Sequence, residues 1–251
     1  MTAPPDGHLR IDGCVNFRDA GGWPTGDGRR MREGLLLRSD DPIRITDAGR
    51  AAVASLDLEA VIDLRQHAQF VRRPGFVAPE RTFHRPLVDR VLDLDDPPPL
   101  AEPSDMAAMY EEIISRSEPQ IAEVLDLVAD HVGRGPVLVH CAYGKDRTGV
   151  VVALVHAAIG VTPAAIAADY GRSHRPTQRR YRWMLDEPLH DDPPVHRAPA
   201  DLFTAPTVAM QVLLGRAVER HGSLDAWVHS FPIASTTVDR LRAALLHQPA
   251  S

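Results

Sequence analysis

Short apolar runs bounded by charge recur along the chain, at Gly34 to Arg38 (GLLLR), Ala60 to Leu64 (AVIDL) and Val137 to His140 (VLVH). Runs of this length, continuous and rich in branched side chains, predict buried strands. Segment 81 to 88 predicts one more, and residues 10 to 22 show a brief apolar alternation that ends in a Gly-Gly turn. Between and after these runs the apolar spacing becomes helical. Thr46 is placed to N-cap a helix over 47 to 55 with Ala48, Ala51 and Ala52 inward. Met106, Met109, Ile113 and Ile114 form one stripe. Ile121, Val124, Leu125, Val128 and Val132 form a cleaner one, with Pro119 in its first turn and a break at Gly133 to Gly135. Val150 to Ile159 is apolar on nearly every side, which predicts a helix running through the interior. Pro163 to Tyr170 starts another. The C-terminal part predicts helices over 206 to 221 (Val208, Val212, Leu213, Val218), Leu224 to Val228 and a last amphipathic stretch with Leu241, Ala244 and Leu245.

Two stretches lack such a pattern. Residues 93 to 105, rich in Asp and Pro, predict a loop. Residues 171 to 206 carry many Arg, His, Asp and Pro and stand as a candidate lid or substrate-facing segment. Within the latter, Arg179, Arg180 and Arg182 interleave with Tyr181 and Trp183, either to meet an anionic substrate or as a solvated helix face.

Composition bounds these elements. A chain of 251 residues with 44% hydrophobic content can bury one sizeable core, so one domain over 1 to 251, with the helices of 206 to 247 packed on its sheet, is expected. A net charge of -6 argues against a general nucleic-acid or anionic-membrane binder. Two cysteines, Cys14 and Cys141, are too few for a disulfide framework and fit a reducing compartment. With no apolar leader or membrane-length run, the chain reads as soluble and cytoplasmic, with export lacking a signal peptide left open. Oligomeric state is not legible.

The candidate chemistry lies in VLVHCAYGKDRTG, residues 137 to 149. A strand that ends at His140, a loop through Gly144 and a helix opening near Arg147 turn backbone N–H groups of Ala142, Tyr143, Gly144 and Lys145 toward one point, where the helix terminus adds positive charge. Cys141 at the base of that cradle would be held as thiolate, the nucleophilic form. Arg147 offers a planar fork for two phosphate oxygens. Of the 28 basic residues a single one is lysine, Lys145, and it falls inside the cradle. Asp63 and Arg65 sit where the AVIDL strand ends, and ligands of open α/β sheets collect at such ends. Arg38 sits at another. Asp146 and Asp63 are both candidate acids, Asp63 also reading as a structural partner of Arg65. Thr148 is placed to donate its hydroxyl to the sulfur. Asn16, Arg18 and Asp19 either brace one another or form a simple polar turn. Cys14 reads as a resolving thiol or as a small packed residue.

HCAYGKDRTG at 140 to 149, together with NFRDAGG at 16 to 22, LLLRS at 35 to 39, VIDLR at 61 to 65 and the C-terminal ERHGSLDAWVHSF and DRLRAALL, resembles the atypical bacterial tyrosine phosphatases of the cysteine-dependent phosphatase superfamily. The resemblance implies an α/β fold with a central, mostly parallel sheet between helices. It implies Cys141 as nucleophile, Arg147 as phosphate-binding arginine and Lys145 with Asp146 as the basic-acidic pair of the loop. Arg65 joins the loop residues in the expected substrate site. Substrates implied are phosphotyrosine, also phosphoserine/threonine, and phosphoinositides, with no metal or cofactor. One departure is Gln69, where the family commonly has Glu four residues after the arginine of its DLR motif. A catalytically silent phosphate-binding module and a sulfurtransferase are the competing readings: the intact Cys141 and Arg147 argue against the first, and the helix-opening Arg-Thr-Gly with the NFRD segment against the second.

Overall fold

The structure, a computed structural model, describes residues 8–72, 75–87, 102–188 and 200–247. The end of the strand expected to residue 88, the Asp/Pro loop from 93 to 101 and positions 189 to 199 lie outside the described residues.

The three apolar runs become strands with ends moved by at most two residues, whereas segment 81 to 88 gives strand only over Thr82–His84 and the 10 to 22 segment only over Arg18–Asp19. The strands are β1 (Arg18–Asp19), β2 (Leu36–Ser39), β3 (Ala60–Asp63), β4 (Thr82–His84) and β5 (Val137–His140). They make one sheet in the order β1-β2-β5-β3-β4. All neighbours are parallel except β1 and β2. Every residue of β2, β3 and β5 is buried, as a strand covered on both faces requires. Side chains alternate between the faces. Leu36, Ala60, Ile62, Val137 and Val139 enter the larger core, whereas Leu37, Val61 and Leu138 enter a smaller one with Ile11, Phe17, Val53, Leu58 and Phe76. The register sets Ser39, His140, Asp63 and His84 in one row across the sheet. The C-terminal ends of the four parallel strands therefore emerge on one edge.

The helices are α1 (Asp47–Ala54), α2 (His67–Arg72), α3 (Pro103–Arg116), α4 (Glu118–His131), α5 (Asp146–Ala158), α6 (Pro163–Gly171), α7 (His174–Asp186), α8 (Thr207–His221), α9 (Leu224–His229) and α10 (Thr237–Leu245). The fold is thus α/β, a mostly parallel sheet flanked by helices, with helices closing the C-terminal part. As its pattern predicts, α5 is buried from Arg147 to Ala158 and packs on α3, α4, α6, α9 and α10. That enclosure fixes the loop from which it starts. None of the described helices is long and apolar enough to cross a membrane.

Two expectations are corrected, and α8 shows which of its apolar positions face inward. Thr46 does cap α1, its side chain accepting from the Gly49 N–H at 3.1 Å, but the buried positions are Gly49 and Val53, with Ala48 and Ala51 exposed. The reason is close approach: a Cβ at Gly49 would lie 2.1 Å from the Asp12 carbonyl oxygen, so this face is inward because the chain comes within backbone distance there. In α8, Val208 and Val218 are exposed at 50% and 39%, and the inner face is Ala209, Met210, Leu213, Leu214 and Ala217. Small residues let α8 lie close to α6 and α3, and that contact outranks hydrophobicity. Finally, the segment from 171 begins as ordered helix: α7 has buried residues at Pro176, Thr177, Arg180 and Met184.

Candidate active site

The loop from Cys141 to Lys145 leaves β5 and enters α5. Gly144 has φ +63°, and a Cβ there would meet the Ser39 carbonyl carbon at 2.4 Å, so only glycine lets the loop lie against the end of β2. Asn16 Nδ2 donates to the carbonyls of Tyr143 and Gly144 at 2.9 and 3.1 Å, and Arg38 Nη2 donates to Gly144 at 2.8 Å. A trans peptide points its N–H opposite its carbonyl. With two carbonyls drawn back, the N–H groups of Gly144 and Lys145 face the open side of the loop. Neither donates to another described backbone group. The N-terminus of α5 adds its partial positive charge there.

The bracing side chains are themselves locked. Arg18 lies directly opposite Arg38 in the β1–β2 ladder, a like-charge pair that would destabilise the sheet alone. Asp169 of α6 resolves it: Arg38 Nη1 bonds its Oδ2, Arg18 Nε sits 3.4 Å from its Oδ1, and Arg18 Nη2 reaches its carbonyl at 3.0 Å. Arg18 Nη1 also bonds Asn16 Oδ1. Burial pushes the Asp169 carboxyl up, yet Arg38 and Arg18 outweigh it and hold the pKa near about 2. Burial, with Arg38 beside it, lowers the Arg18 guanidinium to about 9. Asn16 and Arg18 therefore brace one another and the loop, while Asp19 turns away to accept from the Gly21 and Gly34 N–H groups.

A second buried network lies at the ends of β2 and β3. Arg65 forks onto Asp63, Nε to Oδ1 and Oδ2 at 3.0 Å and Nη2 to Oδ2 at 2.7 Å, and its Nη1 lies 3.8 Å from Asp41. Arg180 of α7 bonds Asp41 Oδ1 at 2.7 Å and Asp40 Oδ2 at 3.1 Å. Asp40 in turn accepts from the N–H groups of Val15 and Asn16. The basic run of α7 is thus split. Arg180 points inward, held protonated by Asp41 and Asp40 against the pull of burial, while Arg179 and Arg182 are exposed.

The sequence candidates fall into two groups. Cys141, 2% exposed, and Arg147, 7% exposed, belong to the loop and first turn of α5, and Arg147 Nη1 donates to the Leu64 carbonyl at 3.1 Å. Asp146 stands beside them with its side chain 23% exposed. Its Oδ1 takes the Tyr110 hydroxyl at 2.8 Å and lies 3.0 Å from Lys145 Nζ. Thr148 is fully buried, and its hydroxyl has no hydrogen-bond partner among the described residues. Asp63 and Arg65, by contrast, are fully buried and spent on one another. Burial alone would raise Asp63, but His140 and the Arg65 fork hold it below the usual carboxylate value. Burial also lowers His140, leaving that imidazole neutral near pH 7 and Arg65 as the charge facing Asp63. Arg65, expected in the substrate site, is buried and turned onto Asp63 and Asp41. Lys145 also departs from expectation: 1% exposed, it donates to the carbonyls of Leu202 and, at 3.0 Å, Thr204. Its ammonium ties the loop to the turn before α8.

A model of the tyrosine phosphatase family matches residues 9–247, nearly the whole described chain. The chain belongs to the tyrosine phosphatase family. It is 32% identical to the triple specificity protein phosphatase PtpB of Mycobacterium tuberculosis, over 94% of this chain and 98% of that one. It is 30% identical to a putative tyrosine-protein phosphatase of Cupriavidus necator over 66% of this chain and 63% of the other, and 31% identical to a tyrosine-protein phosphatase of Nostoc commune over 55% and 48%.

Sequence reasoning about this phosphatase missed Asp40, Asp41, Asp169 and Tyr110. A signal existed for one: Asp169 is the lone carboxylate in PAAIAADYG, and a charge in so apolar a helix calls for a buried partner. Tyr110 carried none, since an aromatic at helical spacing reads as core. Cys14 is free, as is Cys141, and burial with Asp40 and Asp41 nearby pushes its thiol far up, which favours the packed reading over a resolving thiol. Gln69 leaves its side-chain oxygen without a partner among the described residues. The Asp63–Arg65 geometry holds without a carboxylate at that position.

Proposed function

We propose that this phosphatase hydrolyses phosphomonoesters through a phosphocysteine, with Cys141 as nucleophile. Cys141 sulfur attacks phosphorus, the ester oxygen leaves with a proton from Asp146, and water then attacks the phosphocysteine as Asp146 takes a proton back. Arg147 and the loop N–H groups stabilise the charge spread over the equatorial oxygens. The observation that carries this reading is the pair of carbonyls at Tyr143 and Gly144 drawn back by Asn16 and Arg38, which frees N–H groups for an anion above the cysteine.

Asp146 is favoured over Asp63 as the acid on environment. Asp63 is sealed and committed to Arg65, whereas the Tyr110 and Lys145 contacts of Asp146 fall on Oδ1 and its side chain reaches solvent. The Thr148 hydroxyl, without a hydrogen-bond partner among the described residues, supports its role as a donor to the sulfur when the thiolate leaves. Substrates are phosphotyrosine and phosphoserine/threonine peptides, and phosphoinositides, a breadth in keeping with a relative named for triple specificity. The helix α7 with the turn at 200 to 204 serves as the cover of the site. Tyr143 donates to Met184 Sδ at 3.0 Å and rests against Phe203, and Lys145 bonds the turn itself.

The deciding experiment is Cys141→Ser. It is expected to abolish hydrolysis of p-nitrophenyl phosphate and to retain the wild-type circular dichroism and anion binding. Turnover that survives in this variant removes the cysteine from the mechanism.

A further inference from the structure

A cavity of about 1060 Å³ opens between the N-terminal segment 8 to 15 and the outer face of α7, and none of residues 141 to 147 lines it. Its walls carry Arg10 on one side and Arg172, Arg175 and Arg179 on the other, floored by Trp183 and Pro176. Arg172, Arg175 and Arg179 follow one another at spacings of three and four, on one side of the α6 end and α7. Like charges at that spacing repel and cost a helix a few tenths of a kcal/mol each. Arg10 and Arg175 make no hydrogen bond or ion pair with any described residue. Arg179 and Arg172 rest over the Trp183 and Trp23 rings, their centroids 5.0 and 4.3 Å away, which orients the forks without neutralising them. The only carboxylate in the wall, Asp12, is engaged by the Thr46 hydroxyl at 2.8 Å. A chain of net charge -6 thus concentrates around one cavity four guanidinium groups that no carboxylate among the described residues pairs.

We infer that this cavity is a second anion site, separate from the Cys141 loop, for a compact ligand bearing two or more phosphate groups. Planar forks on facing walls suit phosphate oxygens presented from both sides, and a cavity of this size takes a ligand of several such groups. The walls are also the two elements that Arg180 and Asp40 join on the far side of α7. A bridging polyanion would clamp α7 against residues 8 to 15, adjoining the Asn16 brace of the catalytic loop. The same chemistry is offered by a soluble polyphosphate and by the headgroup of a phosphorylated lipid.

The test uses the full chain and inorganic tripolyphosphate, measured by isothermal titration calorimetry. The probe is titrated into Arg147→Ala, whose loop has lost its phosphate fork, and into Arg147→Ala carrying Arg175→Ala and Arg179→Ala as well. Vesicles containing phosphatidylinositol phosphate form a parallel sedimentation arm. Binding that persists in Arg147→Ala and weakens at least about tenfold with the two further changes is expected, in either arm, and the arm that responds names the source. Both arginines are exposed, so Arg175→Ala with Arg179→Ala, made with Arg147 intact, is expected to keep wild-type circular dichroism and p-nitrophenyl phosphate turnover. Binding lost with Arg147→Ala alone, or unchanged by Arg175→Ala and Arg179→Ala in both arms, overturns the proposal. So does a cavity already filled by the chain's own residues, read as no binding in either arm.

Discussion

Asp146 shows how far a single position depends on neighbours that contribute no chemistry. Tyr110 donates to its Oδ1, and the Tyr110 hydroxyl shares a hydrogen bond with that of Tyr170, which also reaches Met106 Sδ at 3.1 Å. Burial, then Asp146, pushes the Tyr110 phenol well above its ordinary value, so it stays a donor at any pH the enzyme meets. Such a bond to a charged group is worth about 1.5–3 kcal/mol. Tyr110→Phe is therefore expected to lower kcat for phenyl phosphate, whose leaving oxygen needs a proton, by roughly tenfold or more, and to leave p-nitrophenyl phosphate turnover nearly unchanged. The ratio of the two rates checks this. Equal losses would mark Tyr110 as a packing residue only. Asp146→Asn should show the same split more strongly, and if Asp146→Asn shows none, the acid lies elsewhere whatever Tyr110 does.

At the scale of elements, what the sequence disclosed was set by periodicity, and what it concealed was set by backbone proximity and paired charge. The strands β2, β3 and β5 were legible because burial on both faces writes an unbroken apolar run. The loop was legible because Cys141, Gly144 and Arg147 each have a separate reason for being there. The inner face of α1 was not, because Gly49 is buried for lack of a side chain and not for having an apolar one. Nor was α7, whose docking rests on Arg180, a residue that reads as surface. Arg180→Ala should destabilise the fold by about 3–5 kcal/mol, since Asp40 and Asp41 remain buried without their cation. A shift of the urea midpoint measures it. Asp169, which fastens α6 to β1 and β2, gives a pH signature. Its folded pKa lies below the unfolded one, so its stabilisation is complete above about pH 4 and is lost as pH falls toward about 2. Asp169→Asn should be less stable at neutral pH and should lose less additional stability over that acid window than the wild type does, as read from urea midpoints at each pH.

For the whole molecule, the four parallel strands gather their C-terminal ends on one edge, and the charges gathered there would repel or strand one another unless elements distant in sequence supplied partners. The chain answers with α6, through Asp169, and with α7, through Arg180, so the helices that settle these charges also bring α7 beside the loop as its proposed cover. Three aromatics complete the roof: Tyr181 stacks on Phe203 with centroids 4.1 Å apart, and Phe203 lies 5.6 Å from Tyr143 of the loop. His174 of α7 accepts from the Ala205 N–H at 3.1 Å, joining the turn to the helix. If α7 and the turn cover Cys141 as proposed, a substrate reaches the thiol as this contact gives way, and Phe203 is the place to loosen it without altering residues 141 to 147 themselves. Phe203→Ala removes both ring contacts, each worth about 0.5–1.5 kcal/mol beyond its buried area. The open population should rise accordingly. Alkylation of Cys141 by iodoacetamide, followed by mass spectrometry of the 141-containing peptide, is expected to quicken by about tenfold over wild type, with free glutathione in the same mixture as the rate reference. Equal rates at Cys141 in the two proteins would mean that α7 and the turn do not govern access to the thiol.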